Sequence, residues 1–442
     1  MGLRGRRTVA HRLLLHYSHG FKPLSMVIAS SSPSNLSLAR LFSLRRVLIY
    51  FAIIGSLVFQ FSVAWMLREQ IATGLTDFAA FYTGGKIVAS GNSGNLYDLA
   101  TQQRMEAAYT VRGRSAGFLP YNHAPFETVL LAPLAAFSFP TAAWIWWGCN
   151  LLLGYLVLFL LRPYLPGLNI RLDLAILGLG CFLPLLAAEC QGQDSILSLL
   201  LFTVCFLNLA HGRAWMAGCA LALTTYKPQL AVVMIGLLAI TSERRWRILA
   251  GFFETCAGLA VLSAGLVGWR ACAAYPAFVG RFAAGFDDAT AHTELMPNLR
   301  GLMYATFGSR LSHSAFVLTV GAVSALFVLA AIWATRGKGG TSRGMHLQFA
   351  LAVTVTVMVA YHGFLHDMTV LLLPLFLVWN LLAETGLHTW KHRLLGACVL
   401  LLFCRPFLPV SGLQFDAGAA IAFFGLLCWE VRSTGGPAMA NA

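Results

Sequence analysis

Long uncharged apolar runs follow one another along most of the chain, and they limit its possible folds more than any other feature. The first run extends from Val47 to Met66 without a charged side chain. About 20 apolar residues suffice to cross the hydrocarbon core of a membrane as an α-helix. Only 11% of the 442 residues are charged, against about 25% in soluble domains. The sequence therefore predicts an all-α polytopic membrane protein.

The apolar runs divide into twelve predicted spans. The run 125–139 is left out because about 15 residues ending at Pro140 are short for a span, so we expect it to be re-entrant or interfacial. The pair 214–226 and 228–241 is also short, and half-depth helices meeting at Lys227 and Pro228 are the alternative to full spans. The twelve predicted spans are 47–66, 142–161, 173–188, 195–210, 214–226, 228–241, 248–268, 313–335, 346–362, 368–383, 394–410 and 417–432.

The distribution of charge predicts the orientation. Residues 1–46 contain eight Lys or Arg and no acid, which predicts a disordered cytoplasmic tail drawn to anionic lipid. A start at Met26 would remove the first part of this tail. Twelve spans place the basic cluster Arg244–Arg247 in the cytoplasm and most acids on the outer face. Counting 125–139 as a span would reverse this, so the basic clusters favour the twelve-span assignment.

These boundaries predict a single membrane domain, residues 47–432, with a C-terminal cytoplasmic tail at 433–442. The first extracytoplasmic loop covers 68–141 and the second covers 269–312. The net charge of +14 indicates contact with anionic headgroups and not with nucleic acid. The ten cysteines lack the close spacing of a metal or redox motif, although Cys190 and Cys272 would both lie near the outer face, where a disulfide is possible.

Asp77 is the first polar residue that needs an explanation. It follows the first span and is the second acid of the chain, after Glu69. It is either a catalytic base at the membrane surface or a cap for a helix that begins near Phe78. Its position alone favours the cap.

Polar residues also interrupt the later apolar runs, where they are costly and usually functional. The segment Glu189–Asp194 contains two acids and two Gln, and Asp194 is alternatively the cap of the next helix. Lys227 suits a lipid-anchored phosphate, unless it snorkels to a headgroup. His366 suits a phosphate oxygen with Asp367 holding its ring, the alternative being a surface His beside a helix cap.

The loop 269–312 and the rest of the chain offer weaker signals. Asp287, Asp288 and His292 are possible metal ligands, but their spacing is unspecific and a solvated loop is the simpler interpretation. The sequence has no glycine-rich phosphate loop and no Walker pattern. An enzyme of this kind would take an activated substrate from the membrane and not a cytosolic nucleotide.

Several short motifs follow one another in a fixed order: Asp77–Gly85, Asn95–Asp98, Phe118–Pro125, Gly192-Gln193, Lys227-Pro228, Pro297–Leu302 and His366–Pro374. Each motif is weak alone, and their order over roughly Leu67 to Pro374 is the specific part. In this order they make the chain resemble glycosyltransferase family 87, a family of GT-C type membrane enzymes. Two positions depart from the family pattern: Asn122-His123 replaces a Pro-rich pair, and Asp194-Ser195 stands where Asn often follows Gly-Gln.

The resemblance implies a GT-C-like helix bundle that transfers a hexose, most often mannose, from a polyprenyl-phosphate donor to a hydroxyl of a glycan or glycolipid. It implies inversion at the anomeric carbon, a multi-pass location in the plasma membrane, an extracytoplasmic active site and no metal or other cofactor. Asp77 would be the general base, and Lys227, His366 and Arg300 would bind the donor phosphate. The sugar and acceptor would contact Tyr82, Tyr121, Asn122, His123, Gln193, Asp194, Asn298 and Asp367.

Two alternatives belong to other classes. A transporter or lipid flippase fits twelve spans, but it predicts polar residues near mid-bilayer and internal symmetry, and no clear repeat occurs in the sequence. An accessory subunit with a degenerate site is the other alternative, which retention of Asp77, Lys227 and His366 together disfavours. Nothing in the sequence fixes an oligomeric state.

Overall fold

The computed structural model describes residues 44–111, 119–285, 292–336, 342–407, 412 and 414–433. Within these ranges the regular elements are helices and no strand occurs, as expected for a chain whose backbone polar groups are satisfied within each segment. The α-helices are α1 (Leu44–Met66), α2 (Arg68–Thr73), α3 (Phe78–Ala89), α4 (Leu99–Ala107), α5 (Thr128–Leu131), α6 (Phe139–Leu161), α7 (Pro166–Ile170), α8 (Leu172–Cys181), α9 (Leu183–Gln191), α10 (Ser195–Ala210), α11 (Ala214–Ala222), α12 (Pro228–Thr241), α13 (Arg245–Val267), α14 (Trp269–Gly285), α15 (Leu299–Phe307), α16 (His313–Thr335), α17 (Ser342–Val359), α18 (Leu372–Thr385), α19 (Trp390–Phe403) and α20 (Gln414–Ser433).

Short 3-10 segments join several of these helices. Most of the predicted N-terminal tail and C-terminal tail, and the acids Asp287 and Asp288, lie outside the described residues. The described residues from Leu48 onward form one compact unit. The 3-10 segments are Ser93–Asn95, Pro125–Glu127, Ala132–Ala136, Leu223–Tyr226, Thr293–Leu295, Leu365–Leu371 and Arg405–Phe407.

Six helical segments of the described chain are long and apolar enough to cross a membrane. The pair α8 and α9 makes a seventh if it counts as one span bent by 52° at Phe182. The bundle therefore confirms a polytopic all-helical protein, whereas shorter helices occupy the other predicted positions and the count of twelve stays a prediction. The six segments are Leu44–Met66, Phe139–Leu161, Arg245–Val267, His313–Thr335, Leu365–Thr385 and Gln414–Ser433.

The break between α11 and α12 falls at Lys227. Pro228 is the first residue of α12, a position where its missing N–H costs nothing. The 14 residues of α12 extend about 21 Å at 1.5 Å per residue, which is short of the roughly 30 Å hydrocarbon core. The lengths favour the half-depth alternative for this pair.

Helices α11 and α13 pack in direct backbone contact through two glycines. A Cβ added to Gly218 would lie 2.0 Å from the carbonyl oxygen of Ile248, and one added to Gly251 would lie 2.1 Å from that of Trp215. Small residues at such a crossing let two membrane helices approach closely. This contact fixes α11, and with it the position of the break at Lys227.

The segment between α1 and α6 folds into its own small core beside the bundle. The interfacial helix expected from Leu96 to Arg112 is shorter, α4, and Asp98 caps it by accepting a hydrogen bond from the Thr101 N–H at 2.9 Å. Pro125–Ala136 consists of short helical turns over 12 residues, too few to cross a bilayer. Leu96 is fully buried there.

The cysteines contribute packing and not cross-links. Cys190 is buried and Cys272 partly buried, and both are free thiols. The disulfide that their expected location allowed is not formed.

Candidate active site

A tight turn between α9 and α10 is the centre of the polar cluster. Its carbonyl groups are anchored by α6, because the Trp146 indole N–H donates to Gly192 at 2.9 Å and the Asn150 amide donates to Gln193 at 3.0 Å. Gly192 has φ +68°, and a Cβ there would lie 2.6 Å from the Cβ of Phe78. Only glycine combines this left-handed backbone with so close a neighbour. The turn is thereby held against the start of α3.

Asp77 lies directly before α3, in contact with this turn. The side-chain amide of Gln193 donates to Asp77 Oδ2 at 2.8 Å. Asp77 occupies the N-cap position of α3, but its side chain caps no helix N–H. The cap favoured by position alone is therefore not formed, and the carboxylate is turned toward the α9–α10 turn. Asp77 is partly exposed.

Lys227 is the buried cation of the cluster. Its Nζ lies 2.5 Å from Asp367 Oδ1, 2.9 Å from Asp194 Oδ1 and 2.7 Å from Ser195 Oγ. An ammonium group has three N–H donors, so each has an acceptor at hand. The side chain is 4% exposed. Lys227 does not snorkel to a headgroup. It ties the break in the α11–α12 pair to the α9–α10 turn and to the segment before α18.

His366 and Asp367 approach the same turn from the other side. His366 Nδ1 lies 2.8 Å from Gln191 Oε1, and Asp367 Oδ2 accepts a hydrogen bond from the Phe364 N–H at 3.1 Å. Asp367 therefore does cap its 3-10 segment while its other oxygen accepts from Lys227. His366 is close enough to Asp77 for their charges to interact. The three sequence-predicted residues Asp77, Lys227 and His366 thus belong to one connected cluster.

His123 extends the cluster into the segment before α6. Its Nδ1 lies 2.9 Å from Glu127 Oε2 and 3.1 Å from Asp194 Oδ2. Burial alone would lower the pKa of His123, but these two carboxylates outweigh burial and raise the pKa to about 10. Burial raises the pKa of the Glu127 carboxyl to about 7, with Asp194 adding to the effect.

Aromatic side chains surround His123 and hold the His123–Glu127 pair in position. The Tyr121 hydroxyl donates to Glu127 Oε2 at 3.0 Å. The Tyr97 hydroxyl donates to the His123 carbonyl oxygen at 2.7 Å. The rings of His123 and Phe81 meet edge to face, with centroids 5.0 Å apart. Tyr121 is fully buried, so its contacts define a supporting role.

Arg300 and Asn298 form a neighbouring group at the start of α15. The Asn298 side chain accepts from the Gly301 N–H at 3.0 Å and donates to the Ala360 carbonyl oxygen at 2.8 Å. The Arg300 guanidinium donates to the Tyr361 carbonyl oxygen at 3.0 Å and lies over the Tyr361 ring. The Gln229 amide reaches the His362 carbonyl oxygen at 3.4 Å, which links this group to α12.

Two further predicted residues lie apart from the ion pairs. Tyr82 is buried in the core of the α1–α6 segment, where its hydroxyl donates to the Phe137 carbonyl oxygen at 2.8 Å. Asn122 is partly exposed beside His123. Tyr82 is therefore a packing residue.

Sequence reasoning missed Glu127, Gln191 and Ser195. Glu127 was included in an apolar run and received no role, although it is the one acid in the run 125–139. Its spacing of four residues from His123 was an available signal. Gln191 and Ser195 were read only as parts of the α9–α10 turn, and their partners lie 175 and 172 residues away in the chain.

A bundle of apolar helices with a cluster of buried carboxylates, lysine and histidines at one end defines a multi-pass membrane protein with a site for a polar substrate. The sequence profile of glycosyltransferase family 87 matches residues 121–361, more than half of the chain. The chain belongs to glycosyltransferase family 87 and is a membrane glycosyltransferase. Comparison with curated proteins and with solved structures gives no significant match.

The matched range includes part of the cluster and leaves part outside. His123, Asp194, Lys227 and Arg300 lie within it, whereas Asp77 and the pair His366-Asp367 lie beyond its ends. The roles of the outer residues rest on their contacts with the matched ones. The Gln193–Asp77 and Lys227–Asp367 contacts are the two that make this connection.

Proposed function

We propose that this protein transfers a hexose, with mannose the first sugar to test, from a polyprenyl-phosphate donor to an acceptor hydroxyl on the extracytoplasmic side of the plasma membrane. Membership of glycosyltransferase family 87 supports sugar transfer. The absence of a nucleotide-binding motif in the sequence supports a donor that is already in the membrane. The acceptor is a glycan or glycolipid that reaches the same face.

The position of Asp77 is the observation that carries the mechanism. Glu127, Asp194 and Asp367 are buried within the cluster, whereas Asp77 is partly exposed and held through one oxygen by Gln193. A general base must reach a substrate hydroxyl while its own orientation is fixed. Asp77 combines these two requirements better than the three buried carboxylates.

In the proposed reaction, Asp77 takes the proton of the acceptor hydroxyl as its oxygen attacks the anomeric carbon. The bond from that carbon to the phosphate oxygen breaks, and the configuration inverts. Polyprenyl phosphate leaves as an anion and needs little acid assistance. A single general base contributes roughly 10²–10⁴-fold to such a rate.

The leaving phosphate gains negative charge, which a nearby cation and a hydrogen-bond donor offset. We assign Arg300 to direct phosphate contact as the cation and His366 as the hydrogen-bond donor. Lys227 already has an acceptor for each N–H, so it acts as a positioning residue. It holds Asp194 and Asp367 in place and contributes its charge through them.

The sugar and acceptor occupy the space next to Asp77 and the α9–α10 turn. We assign Gln193 and Asn122 to direct contact with them. His123, Asp194 and Asp367 form the wall behind these residues. Tyr121 supports that wall through its hydrogen bond to Glu127, whereas Tyr82 and Asn298 hydrogen-bond to backbone carbonyl groups outside it.

Asp77→Asn tests the mechanism, and Asp98→Asn is its matched control. Asn is as good an N-cap as Asp, so the control keeps α4 and makes the same chemical change in the same segment. The full-length protein in lipid nanodiscs receives labelled polyprenyl-phosphate mannose or polyprenyl-phosphate glucose together with a membrane lipid extract. We expect Asp77→Asn to lower transfer by about 10²-fold or more, and Asp98→Asn to retain it.

Two outcomes would contradict the proposal. If Asp77→Asn transfers sugar as fast as Asp98→Asn, another group is the base. If the wild-type protein transfers sugar from a nucleotide donor and not from a polyprenyl-phosphate donor, the donor class is wrong. NMR of the product glycosidic bond reports separately on inversion.

A further inference from the structure

Three side chains beside the α9–α10 turn converge on one point from two parts of the chain. His123 and Glu127 come from the segment before α6, and Asp194 comes from the turn itself. The ligand-type atoms of the three residues lie within 4.8 Å of one another. We infer that His123, Glu127 and Asp194 bind one divalent transition-metal cation, Mn²⁺ or Zn²⁺. The inference concerns cation binding and does not depend on the proposed sugar transfer.

The spacing of the atoms suits a cation. His123 Nδ1 lies 2.9 Å from Glu127 Oε2 and 3.1 Å from Asp194 Oδ2. Metal–ligand bonds of about 2.0–2.2 Å set ligand atoms at right angles about 3 Å apart. One imidazole nitrogen with two carboxylate oxygens is a donor set typical of Zn²⁺ and Mn²⁺. Three protein ligands leave coordination positions for water or a substrate hydroxyl.

The hydrogen bonding of these atoms is incomplete. His123 Nδ1 and Asp194 Oδ2 are buried, and neither has a partner with hydrogen-bond geometry although the two atoms lie 3.1 Å apart. The Asp194 side chain is 1% exposed. Buried polar atoms are nearly always satisfied. A cation between the three residues would satisfy Nδ1 and Asp194 Oδ2 together, while Asp194 Oδ1 keeps its contact with Lys227.

The charges of the buried ionic groups joined through Asp194 are balanced by a divalent cation when the partly exposed Asp77 is left aside. Glu127 and Asp194 both contact His123, and Asp194 and Asp367 both contact Lys227. The three carboxylates carry three negative charges, and Lys227 carries one positive charge. A divalent cation with neutral His123 brings their sum to zero. Without it, neutrality requires a proton on His123 and a second one on His366 or Glu127. Burying uncompensated charge is costly.

Outer contacts fix the ligands in the manner of a metal site. The Tyr121 hydroxyl donates to Glu127 at 3.0 Å, and such second contacts orient ligating carboxylates. His123 is held by the Phe81 ring and through its carbonyl oxygen by Tyr97. The cation would fasten the segment before α6 to the α9–α10 turn, next to Asp77.

Metal content measures the inference directly. The full-length protein, purified through a tag without histidine, is stripped with EDTA, incubated with Zn²⁺ or Mn²⁺ alone, desalted and analysed by mass spectrometry of the elements. We expect about one equivalent of one of these metals and a rise in the thermal unfolding midpoint on rebinding. His123→Ala and Asp194→Asn should each lower the bound metal at least tenfold.

His211→Ala is the matched control, because His211 lies at the opposite end of α10 and contacts Tyr164. It should keep the wild-type metal content. Metal content in His123→Ala equal to that of His211→Ala would overturn the inference. If His123→Ala does not fold, the wild-type protein decides: a stripped sample that takes up neither metal and shows no change in unfolding midpoint also overturns it. In that case a proton shared among the three residues replaces the cation.

Discussion

Replacing Lys227 with methionine removes the cation at the centre of the polar cluster and keeps most of the side-chain volume. The Lys227 ammonium faces Asp194 at 2.9 Å and Asp367 at 2.5 Å, and the two carboxylate side chains are 1% and 6% exposed. Lys227→Met leaves these carboxylates buried side by side without their shared partner. We expect the protein to lose stability because the remaining charges repel each other and cannot reach water.

The size of the loss follows from the burial of all three groups. Removing one partner of a buried ion pair costs about 3–5 kcal/mol. Asp367→Asn removes one of the two anions and keeps its shape, so its cost is smaller, about 1.5–3 kcal/mol for hydrogen bonds to a charged group. The double variant Lys227→Met/Asp367→Asn leaves fewer unpaired charges than Lys227→Met. It should therefore be more stable than the sum of the two losses predicts, by about 1–3 kcal/mol.

Lys86→Met is the matched control for this cycle. The Lys86 ammonium is partly buried and donates to the carbonyl oxygen of Ala135 at 2.9 Å. Losing one hydrogen bond of this kind should cost about 0.5–1.5 kcal/mol. Unfolding by SDS in mixed detergent micelles, followed by tryptophan fluorescence, gives the free energy of unfolding of each variant. A Lys227→Met loss no larger than that of Lys86→Met, or additivity of the two losses, would refute the ion-pair reasoning.

Three further predictions test separate parts of the structure. Gly251→Ala should lower the free energy of unfolding by about 1–3 kcal/mol in the same measurement, because the added Cβ would meet the neighbouring backbone. Its control, Gly258→Ala on the same helix, has open space around the added Cβ and should be neutral or stabilising. Asp98→Ala should lower stability by about 1 kcal/mol through loss of the α4 cap, measured against Asp98→Asn. Gln193→Leu should lower the kcat of sugar transfer by roughly 10²-fold, because Asp77 loses the donor that orients it, and should raise KM through the lost contact with the sugar or acceptor. An unchanged kcat would show that Gln193 does not position the base.

The helices of this protein could be predicted because apolar length is a local property of the sequence. The predicted span 313–335 has the bounds of α16, His313–Thr335. The interruption at Lys227 and Pro228 was also predictable, since proline cannot donate the backbone hydrogen bond that a continuous helix needs. In both cases the residues that determine the helix or its break are neighbours in the sequence.

The partners of the polar residues could not be predicted in this way. Lys227 and Asp367 are 140 residues apart, and Gln193 and Asp77 are 116 apart. A pattern of residue types shows that a buried carboxylate needs a partner but not which cation the fold brings to it. The same limit applies to Asp77. Its position before α3 predicted a helix cap, but its carboxylate accepts from the Gln193 amide, which lies far away in the sequence.

Each motif that resembles the family is weak evidence alone because it contributes only one partner of a contact, and the other partner lies in a different motif. Tyr97 of the Asn95–Asp98 motif supports His123, and Gln193 of the Gly-Gln motif holds Asp77. Lys227 of the Lys-Pro motif connects Asp194 to Asp367. A substitution in one motif therefore leaves a buried group unsatisfied in another, and the loss belongs to the pair and not to one residue. Stability should therefore fall when any buried member of the cluster is removed, including members whose motif lies far away in the sequence.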